Sequence, residues 1–391
     1  FLIIVFLTLF EYLRAKLLTG FPWLMPSIIL SSNDYLIQIF ALVGSFTANL
    51  FVFSFSILPF VLIFNFRSKY IIFGLLSIPI TILLFSSFVR LYNKDNKVSD
   101  KNLITLVQPN IEQKDKWNLE KRNANLNKLT QFSIQNVNEY IGVNRIIIWP
   151  ETSFEGTIPN EMELLSVISK RILTDQKAIL VVGLLRVDKN KLFNSLVFLN
   201  SKGNIIHQYD KIHLVPFGEY IPLRNKFTTI ANFLSLKDFS SGNIKPNFTL
   251  KGFGNILTLI CYEILFTEEV ISRLSKNTNL LINITNDAWF GKTIGPYQHL
   301  ALAKIKAVEL GIPLARVANT GISALISPYG EEITKIPLYE SGVRTAKLTL
   351  PLKNTIYRRY GEIIFIVSIL FLIFINIMYD YKFSRDLKNE K

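Results

Sequence analysis

The chain has 391 residues, of which 50% are hydrophobic and 13% aromatic, and its mean hydropathy is +0.32. Its length exceeds one ordinary domain of roughly 100–200 residues, and its apolar composition excludes a disordered chain and is high for a purely soluble enzyme. The net charge of +14 leaves nucleic acid and an anionic membrane surface open as partners. One cysteine excludes an intrachain disulfide, and this cysteine and the three histidines are too scattered for a structural zinc site, so we expect no metal.

Four apolar runs are predicted to cross a membrane. The first, residues 1–10, has no basic segment before it, so we expect no signal peptide and expect that upstream sequence is missing. The two internal runs, 41–64 and 70–89, contain no charged residue, and 363–379 repeats the pattern. A spanning helix needs about 20 apolar residues. Buried core helices are the alternative, but uncharged runs of this length are rare in soluble cores.

Basic residues in short loops predict the orientation of these spans. Arg67 and Lys69 lie between the second and third runs, and four basic residues follow Tyr379 in the C-terminal tail. Both segments are predicted to face the cytoplasm, so the long central region lies outside it. Part of the excess of basic residues is then explained by the orientation of the spans. The sequence contains no basic helix or RNA-binding motif, so we expect no nucleic-acid partner.

The same runs predict the domain organisation. Residues 1–92 are predicted to form transmembrane helices and connecting loops of a truncated membrane domain. Residues 93–360 are predicted to be a domain outside the cytoplasm, followed by a C-terminal transmembrane helix at 361–380 and a cytoplasmic basic tail at 381–391.

The central region alternates short apolar runs with helical patterns, which is typical of a layered α/β fold with buried strands. Helical patterns lie at 126–132, 164–172 and 298–310. The predicted strands are Leu103–Val107, Arg145–Trp149, Ala178–Leu184, Leu196–Leu199, Ile256–Ile260, Leu280–Ile284 and Leu314–Val317.

Residues 217–250 are predicted to form a long irregular excursion of the kind that makes lids and binding loops. Five of its apolar residues are predicted either to dip into a membrane interface or to form a small satellite core. They are Ile221, Phe227, Ile230, Phe233 and Leu234.

Three polar residues follow apolar strands at positions suited to chemistry. Glu151 follows the run Arg145–Trp149, Cys261 follows Ile256–Ile260, and Lys211 lies between them in sequence. Each has an ordinary explanation when taken alone: a turn carboxylate, a solvated lysine and a buried cysteine. We expect all three to follow strands of one sheet, which would bring them together.

The motifs around these residues resemble a known family. W-P-E at 149–151, Y-D-K at 209–211 and C-Y-E at 261–263 resemble the Glu-Lys-Cys triad of the nitrilase, or carbon–nitrogen hydrolase, superfamily. Five longer segments resemble the apolipoprotein N-acyltransferase family within it. They are T-G-F-P-W at 19–23, H-L-V-P-F-G-E-Y at 213–220, I-C-Y-E at 260–263, N-D-A-W-F-G-K-T-I-G-P-Y-Q-H at 286–299 and R-V-A-N-T-G-I-S-A at 316–324. Members usually carry more helices before T-G-F-P-W, which is why the membrane domain is expected to be truncated.

The resemblance implies a membrane-anchored α/β protein with a nitrilase-like α-β-β-α sandwich domain flanked by transmembrane helices. It implies a triad in which Cys261 is the nucleophile, Glu151 the base and Lys211 the cation that stabilises an oxyanion. The backbone N–H of Tyr262 is a candidate second oxyanion donor. A histidine-based triad using His213 is the less economical alternative.

Further site residues are predicted around the triad. Glu219, by resemblance, hydrogen-bonds the catalytic lysine, with a purely structural ion pair as the alternative, and Glu263 is predicted to organise the loop behind the nucleophile. Trp117 matches a family tryptophan near the substrate entrance. Trp289 and Phe290 are predicted to line the substrate pocket. Core packing is the alternative for all three aromatic residues.

The resemblance implies transfer of an acyl chain from a phosphatidylethanolamine-like phospholipid to the N-terminal amine of a diacylated apolipoprotein. It implies a multi-pass protein of the bacterial inner membrane that needs no cofactor, with residues 93–360 as its periplasmic nitrilase-like catalytic domain. The alternative function is a membrane-tethered amidase of the nitrilase type acting on a small amide. A transporter or channel would need charges within the spans or repeated halves, and the internal spans show neither.

Overall fold

The computed structural model describes residues 1–63, 69–95, 97–135, 137–222, 224, 238–243 and 247–389. The chain divides into two compact units. The first comprises Phe1–Asp95, Val308–Gly311 and Leu352–Lys391, and the second comprises Asn96–Ala307 and Ile312–Pro351. The two units therefore divide near positions 95 and 351, where the sequence predicts domain boundaries at 92 and 360.

Helices dominate the first unit and strands the second. The helices are α1 (Leu2–Lys16), α2 (Ile39–Ile63), α3 (Lys69–Tyr92), α4 (Leu119–Ile134), α5 (Met162–Ile172), α6 (Thr267–Arg273), α7 (Gly295–Leu310), α8 (Ile356–Tyr360) and α9 (Ile363–Asn389). The strands are β1 (Val98–Gln108), β2 (Asn144–Ile148), β3 (Thr157–Ile158), β4 (Ala178–Asp188), β5 (Lys191–Leu199), β6 (Ile205–Asp210), β7 (Asn247–Leu250), β8 (Gly254–Ile260), β9 (Thr278–Thr285), β10 (Leu314–Ala318), β11 (Ser323–Ile326), β12 (Glu332–Ile336) and β13 (Gly342–Thr349).

Among the described residues, three helices are long and apolar enough to cross a membrane: Leu36–Ile63, Lys69–Tyr92 and Ile363–Tyr381. They contain 28, 24 and 19 residues, close to or above the roughly 20 that a crossing needs. The predicted spans at 41–64, 70–89 and 363–379 are thereby confirmed as helices of this kind. The first predicted span lies in α1, which has 15 residues. Its crossing of a membrane and the orientation of the spans stay predictions, and Arg67 lies outside the described residues.

The helices of the first unit share an apolar core. Ile4 of α1, Phe46 of α2, Leu76 of α3 and Phe365 of α9 belong to one buried cluster. Helix α2 is interrupted at Gly44, where φ is 73° and ψ is 177°. A Cβ atom at this position would lie 2.0 Å from the ring of Tyr357 in α8, so only glycine fits both the backbone conformation and the close approach of that ring.

The second unit is built on two sheets that face each other. The seven-stranded sheet has the order β13-β1-β2-β4-β5-β6, with β3 paired to β4, and the six-stranded sheet has the order β12-β11-β10-β9-β8-β7. The central strands β1, β2 and β4 run parallel, as do β8, β9 and β10. Parallel strands are buried on both faces, which explains their near-continuous apolar runs. All seven predicted strands are present.

The layers follow from which side chains are buried together. Alternate residues of both sheets form one core cluster, including Ile146 of β2 and Ile282 of β9. The other face of the first sheet packs against Leu129 of α4 and Leu165 of α5. On the second sheet, Leu257 of β8 alternates with the residues of this core cluster and is also fully buried. Most side chains of α7 are buried as well. The predicted α-β-β-α sandwich is therefore confirmed.

Two expectations about this unit are wrong. The triad residues do not follow strands of one sheet: Glu151 and Lys211 follow β2 and β6 of the first sheet, whereas Cys261 follows β8 of the second. The excursion predicted at 217–250 ends in a regular strand, because Asn247–Leu250 pairs with β8. Ile221 is 4% exposed, which favours the alternative of a small satellite core for this residue. Phe227, Ile230, Phe233 and Leu234 lie outside the described residues.

Candidate active site

The nucleophile candidate lies at a sharp junction between strand and turn. Cys261 is the first residue after β8 and opens a short 3₁₀ turn, Cys261–Leu265. Its φ angle is 53°, a left-handed conformation that is uncommon for residues other than glycine and clusters at functional sites. It is the only cysteine of the chain and is partly exposed.

The carboxylate of Glu151 is held by two hydrogen-bond donors from different sheets. The side chain of Asn194 in β5 donates to Oε1 at 2.7 Å, and the backbone N–H of Asn286 after β9 donates to Oε2 at 2.8 Å. The ammonium of Lys211 lies 3.8 Å from Oε1. Glu151 is 6% exposed, so these contacts fix its position and replace the water it would otherwise bind.

Lys211 is buried between two carboxylates. Its Nζ donates to Oε1 of Glu219 at 2.8 Å, and the side chain of Asn194 donates to the same oxygen at 3.0 Å. Burial alone would lower the pKa of Lys211, but the charges of Glu219 and Glu151 outweigh it and raise the pKa above its ordinary value. The lysine is therefore a fixed positive charge throughout the neutral range, not a solvated side chain.

Glu219 forms a buried ion pair with Lys211. Its second oxygen accepts a hydrogen bond from the backbone N–H of Val215 at 2.8 Å. Burial would raise the pKa of Glu219, but the charge and hydrogen bond of Lys211 outweigh it and lower the pKa. The predicted hydrogen bond to Lys211 is present in the structure, and a supporting catalytic role for Glu219 stays a prediction.

The thiol of Cys261 is protonated in the resting site. Desolvation raises its pKa to about 12, the charges of Glu151 and Asp287 add to the rise, and the charge of Lys211 and a hydrogen bond with Thr285 oppose it. A thiol is a weak nucleophile until its proton leaves. The site can therefore form a thiolate only as a neighbouring base takes the proton, and Glu151 is the carboxylate whose charge acts on the thiol most strongly.

Glu263 ties the nucleophile turn to the preceding strands. Its Oε2 accepts from the backbone N–H of Ile260 at 2.7 Å, and its Oε1 accepts from Tyr209 Oη at 2.6 Å and from the backbone N–H of Ile212 at 2.9 Å. Arg273 donates to the same Oε1 at 3.0 Å. These bonds join the segments on either side of Lys211 and Cys261, as expected for a residue that organises this loop. Tyr262, the next residue after the nucleophile, is 7% exposed, and oxyanion donation by its N–H stays a prediction.

The three predicted substrate-binding aromatic residues differ in exposure. Trp289 is 74% exposed and Trp117 is 44% exposed, which excludes core packing as the reason for these two side chains. Phe290 is partly exposed, and its ring centroid lies 6.3 Å from that of His299. Their contact with a substrate stays a prediction.

A histidine triad finds no support in the arrangement around His213. Its Nδ1 lies 2.7 Å from Oε1 of Glu269, and its ring stacks on Phe266 with centroids 3.6 Å apart. The side chain of His213 is thus engaged by Glu269 of α6 and by Phe266, the residue before that helix.

The structure adds residues that motif analysis did not single out. Asn194 donates hydrogen bonds to both Glu151 and Glu219. In the sequence, the only sign of this role is an asparagine inside the largely apolar strand β5. Behind the nucleophile, Asp287 lies 2.9 Å from His299 Nδ1 and accepts from Arg316 at 2.7 Å. A second buried lysine, Lys116, donates to the backbone oxygen of Glu151 at 3.1 Å.

The arrangement suits covalent catalysis on a carbonyl compound. A protonated thiol, a fixed carboxylate and a permanent ammonium are the parts needed for nucleophilic attack, proton transfer and stabilisation of an oxyanion. Such a site forms a thioester with an acyl substrate and passes the acyl group to water or to an amine.

The position of Glu151 depends on the lack of a side chain at Gly183 in β4. A Cβ atom there would lie 2.4 Å from the backbone oxygen of Pro150 and 2.7 Å from Cα of Glu151. We expect Gly183→Ala to displace the base and to slow acylation of Cys261 by p-nitrophenyl butyrate about 100-fold, since a 1 Å misplacement can cost that much. The matched control is Gly342→Ala, because a Cβ atom at Gly342 meets nothing within 4 Å. Equal acylation rates for the two variants would contradict this account of the base.

Comparisons with known proteins identify the family of the chain. Residues 103–356 match the carbon-nitrogen hydrolase family, and residues 1–58 match the apolipoprotein N-acyltransferase N-terminal domain. The apolipoprotein N-acyltransferase of Rhodopseudomonas palustris is 32% identical over 374 residues, which cover 91% of this chain and 69% of that protein. The enzyme of the same name from Rickettsia prowazekii is 32% identical over 397 residues, covering 96% and 76%.

Solved structures of the nitrilase superfamily also align with the chain. A cysteine-to-alanine mutant of the Nesterenkonia AN1 amidase has a TM-score of 0.48 and 20% identity, covering 67% of this chain and 95% of that one. Saccharomyces cerevisiae Nit3 has a TM-score of 0.49 and 19% identity, covering 64% and 91%. From the two family matches and the relatives that align over nearly its whole length, the chain belongs to the apolipoprotein N-acyltransferase family of carbon–nitrogen hydrolases.

Proposed function

We propose that this chain transfers an acyl chain from a phospholipid to the N-terminal amine of a diacylglyceryl-cysteine on an apolipoprotein, through a thioester on Cys261. The observation that carries the proposal is one chain holding both a buried Glu-Lys-Cys site and helices apolar enough to cross a membrane. Both substrates are anchored in a bilayer, so an enzyme with spanning helices can meet them there. The names of the relatives support the same reaction.

The first half-reaction forms the thioester. Glu151 takes the thiol proton as Sγ attacks the ester carbonyl, and Lys211 stabilises the oxyanion of the tetrahedral intermediate. The C–O bond then breaks, and Glu151 returns the proton to the leaving alkoxide. The products are a lysophospholipid and an acyl-enzyme, and no oxidant or reductant is needed.

The second half-reaction consumes the thioester. The neutral amine of the acceptor attacks the thioester carbonyl while Glu151 takes a proton from the nitrogen. The C–S bond breaks, the amide forms and Cys261 regains its proton. The donor we propose is a phosphatidylethanolamine-like phospholipid, and the acceptor is a diacylated apolipoprotein.

The test is a transfer reaction with both substrates. Purified protein is incubated with a phospholipid carrying a labelled acyl chain and with a synthetic peptide that begins with diacylglyceryl-cysteine. We expect labelled amide on the peptide amine and a matching amount of lysophospholipid. An N-acetylated copy of the peptide serves as control and accepts no label. If the protein instead hydrolyses small amides and leaves the phospholipid intact, the tethered amidase is the correct function.

We also propose that the protein lies in the bacterial inner membrane as a multi-pass protein with its catalytic unit in the periplasm. The basic loop at Lys69 and the basic tail support this orientation. In a Cys261→Ser background, Arg385→Cys is expected to react with a membrane-impermeant maleimide only after spheroplasts are permeabilised. Lys202→Cys, at an exposed residue of the catalytic unit, is expected to react in intact spheroplasts. Labelling of the tail from outside would contradict the orientation.

A further inference from the structure

A second lysine is buried directly beside the catalytic base. Lys116 lies in the loop between β1 and α4 and is 6% exposed. Its Nζ donates to the backbone oxygen of Glu151 at 3.1 Å and to Oγ1 of Thr152 at 2.6 Å. Both acceptors belong to the turn that follows β2 and carries the base. The triad and the oxyanion chemistry described above make no use of this lysine.

The burial of Lys116 needs an explanation. An ammonium loses its hydration when it is buried, so a buried lysine is normally compensated by charge and by hydrogen bonds. Here the two hydrogen-bond acceptors are uncharged oxygens, and the compensating charges are those of Glu151 and Glu155. Lys114, two residues earlier in the same loop, is 76% exposed in its side chain and pairs with Glu112 at 2.7 Å. Of the two lysines in this loop, only Lys116 is therefore buried at the site, and Lys114 is exposed.

The turn that Lys116 contacts has a conformation that needs support. Thr152 has a φ of 46°, and a β-branched residue in the left-handed region is a strained exception. The hydrogen bonds from Lys116 hold both the backbone of Glu151 and the side chain of Thr152 in place. The carboxylate of Glu151 therefore depends on Lys116 for the path of its main chain, and on Asn194 and Asn286 for its oxygens.

We propose that Lys116 is a positioning residue for acylation, whose ammonium fixes the turn that carries Glu151 and adds a second positive charge, after Lys211, that acts on Glu151 and Cys261. The inference rests on the proposed function only in taking Glu151 as the base of acylation. It requires the protonated form of the lysine, because a neutral amine loses the charge and one of its donors.

This requirement predicts a pH dependence. Burial lowers the pKa of Lys116 to about 8, against the charges of Glu151 and Glu155, which raise it. The lysine therefore loses its proton as the pH rises through about 8, and acylation slows above that value. The charged groups around it are Glu151 after β2 and Glu155 before β3, and the thiol of Cys261 after β8 is the other titratable group. Arg122 of α4 acts on Glu155, and Lys211 lies 3.8 Å from Glu151.

The experiment measures acylation of the full chain in detergent by p-nitrophenyl butyrate, from the burst of p-nitrophenolate across pH 6–10. We expect Lys116→Met to slow acylation at pH 7 about 10- to 100-fold and to lose the decline above pH 8. Arginine stays charged across this range, so Lys116→Arg is expected to keep most of the rate and to shift the decline to higher pH. Lys114→Met, which removes an exposed charge from the same loop, is expected to match the wild type.

A second measurement does not depend on ester chemistry. Cys261 is the only cysteine, so the rate of iodoacetamide alkylation at pH 7 reports on this thiol alone. We expect alkylation to slow in Lys116→Met and to stay unchanged in Lys114→Met. The inference is wrong if Lys116→Met acylates and alkylates at the wild-type rates. It is also wrong if the alkaline decline is the same in Lys116→Arg as in the wild type, which decides the matter even where Lys116→Met does not fold. Neither assay uses a phospholipid, so failure of the proposed function is seen separately.

Discussion

Replacing Cys261 with alanine is expected to abolish acyl transfer completely, because no other residue of the chain can form a thioester. Cys261 is the only cysteine. The left-handed backbone conformation of this residue is set by the turn after β8 and does not depend on the sulfur atom. We therefore expect Cys261→Ala to fold normally, to show no acyl-enzyme by intact mass spectrometry and to release no lysophospholipid. The effect is loss of the reaction, not a reduced rate.

The matched variant is Cys261→Ser, which keeps the shape of the side chain and replaces the sulfur with oxygen. Its hydroxyl is far less acidic than a thiol, so at most a trace of oxygen ester is expected. Thermal unfolding close to that of the wild type shows that the fold is intact in both variants. Residual N-acyl transfer by Cys261→Ala would mean that the covalent mechanism is wrong.

The second large effect is expected for Lys211→Ala. This change leaves the nucleophile but removes the fixed charge that stabilises the oxyanion, and loss of one preorganised donor typically costs about 10²–10³ in rate. The loss of a full charge is expected to cost at least as much, with a trace of slow acylation surviving on long incubation. The measurement is the single-turnover rate of acyl-enzyme formation from a labelled phospholipid.

Lys211→Ala also affects stability, because it leaves the buried carboxylates of Glu219 and Glu151 without their cation. Removing one partner of a buried pair costs about 3–5 kcal/mol, so thermal unfolding is expected to occur at a lower temperature. Lys202→Ala, at an exposed turn of the same unit, is the control for removal of a lysine.

Glu151→Gln is expected to acylate as slowly as Lys211→Ala, since the amide cannot accept the thiol proton. Acylation by Lys211→Ala at the wild-type rate would make the lysine a bystander.

The strands of the catalytic unit were predictable because central parallel strands are buried on both faces and read as uninterrupted apolar runs. β2 and β9 are examples. The strands that escaped prediction, such as β12 and β13, lie at the sheet edges, and most of their residues are partly or fully exposed. The assignment of the triad to one sheet failed because sequence order does not state which sheet a strand joins. β6 pairs with β5, whereas β8 pairs with β9.

The site itself was predictable only where a motif marked it. Glu151, Lys211 and Cys261 stand in short segments that resemble the family, and Glu219 and Glu263 follow from the same segments. Lys116 directly precedes Trp117, which matches a family tryptophan, but that match assigns no role to the lysine itself.

The difference between Lys116 and Lys114 arises from the fold, which turns Lys116 toward Glu151 and leaves Lys114 in solvent. Long-range contacts of this kind join residues 35 positions apart in the chain, and local sequence patterns do not contain them.

The most direct test of the account is the intact mass of the wild-type protein after incubation with a phospholipid of one defined acyl chain and no acceptor. We expect a mass increase of a single acyl chain, located by peptide mapping on Cys261 and removed by neutral hydroxylamine, as a thioester is. Addition of the diacylated peptide is expected to discharge it to the peptide amine. Absence of the adduct, or an adduct on any residue other than Cys261, would contradict the central claim.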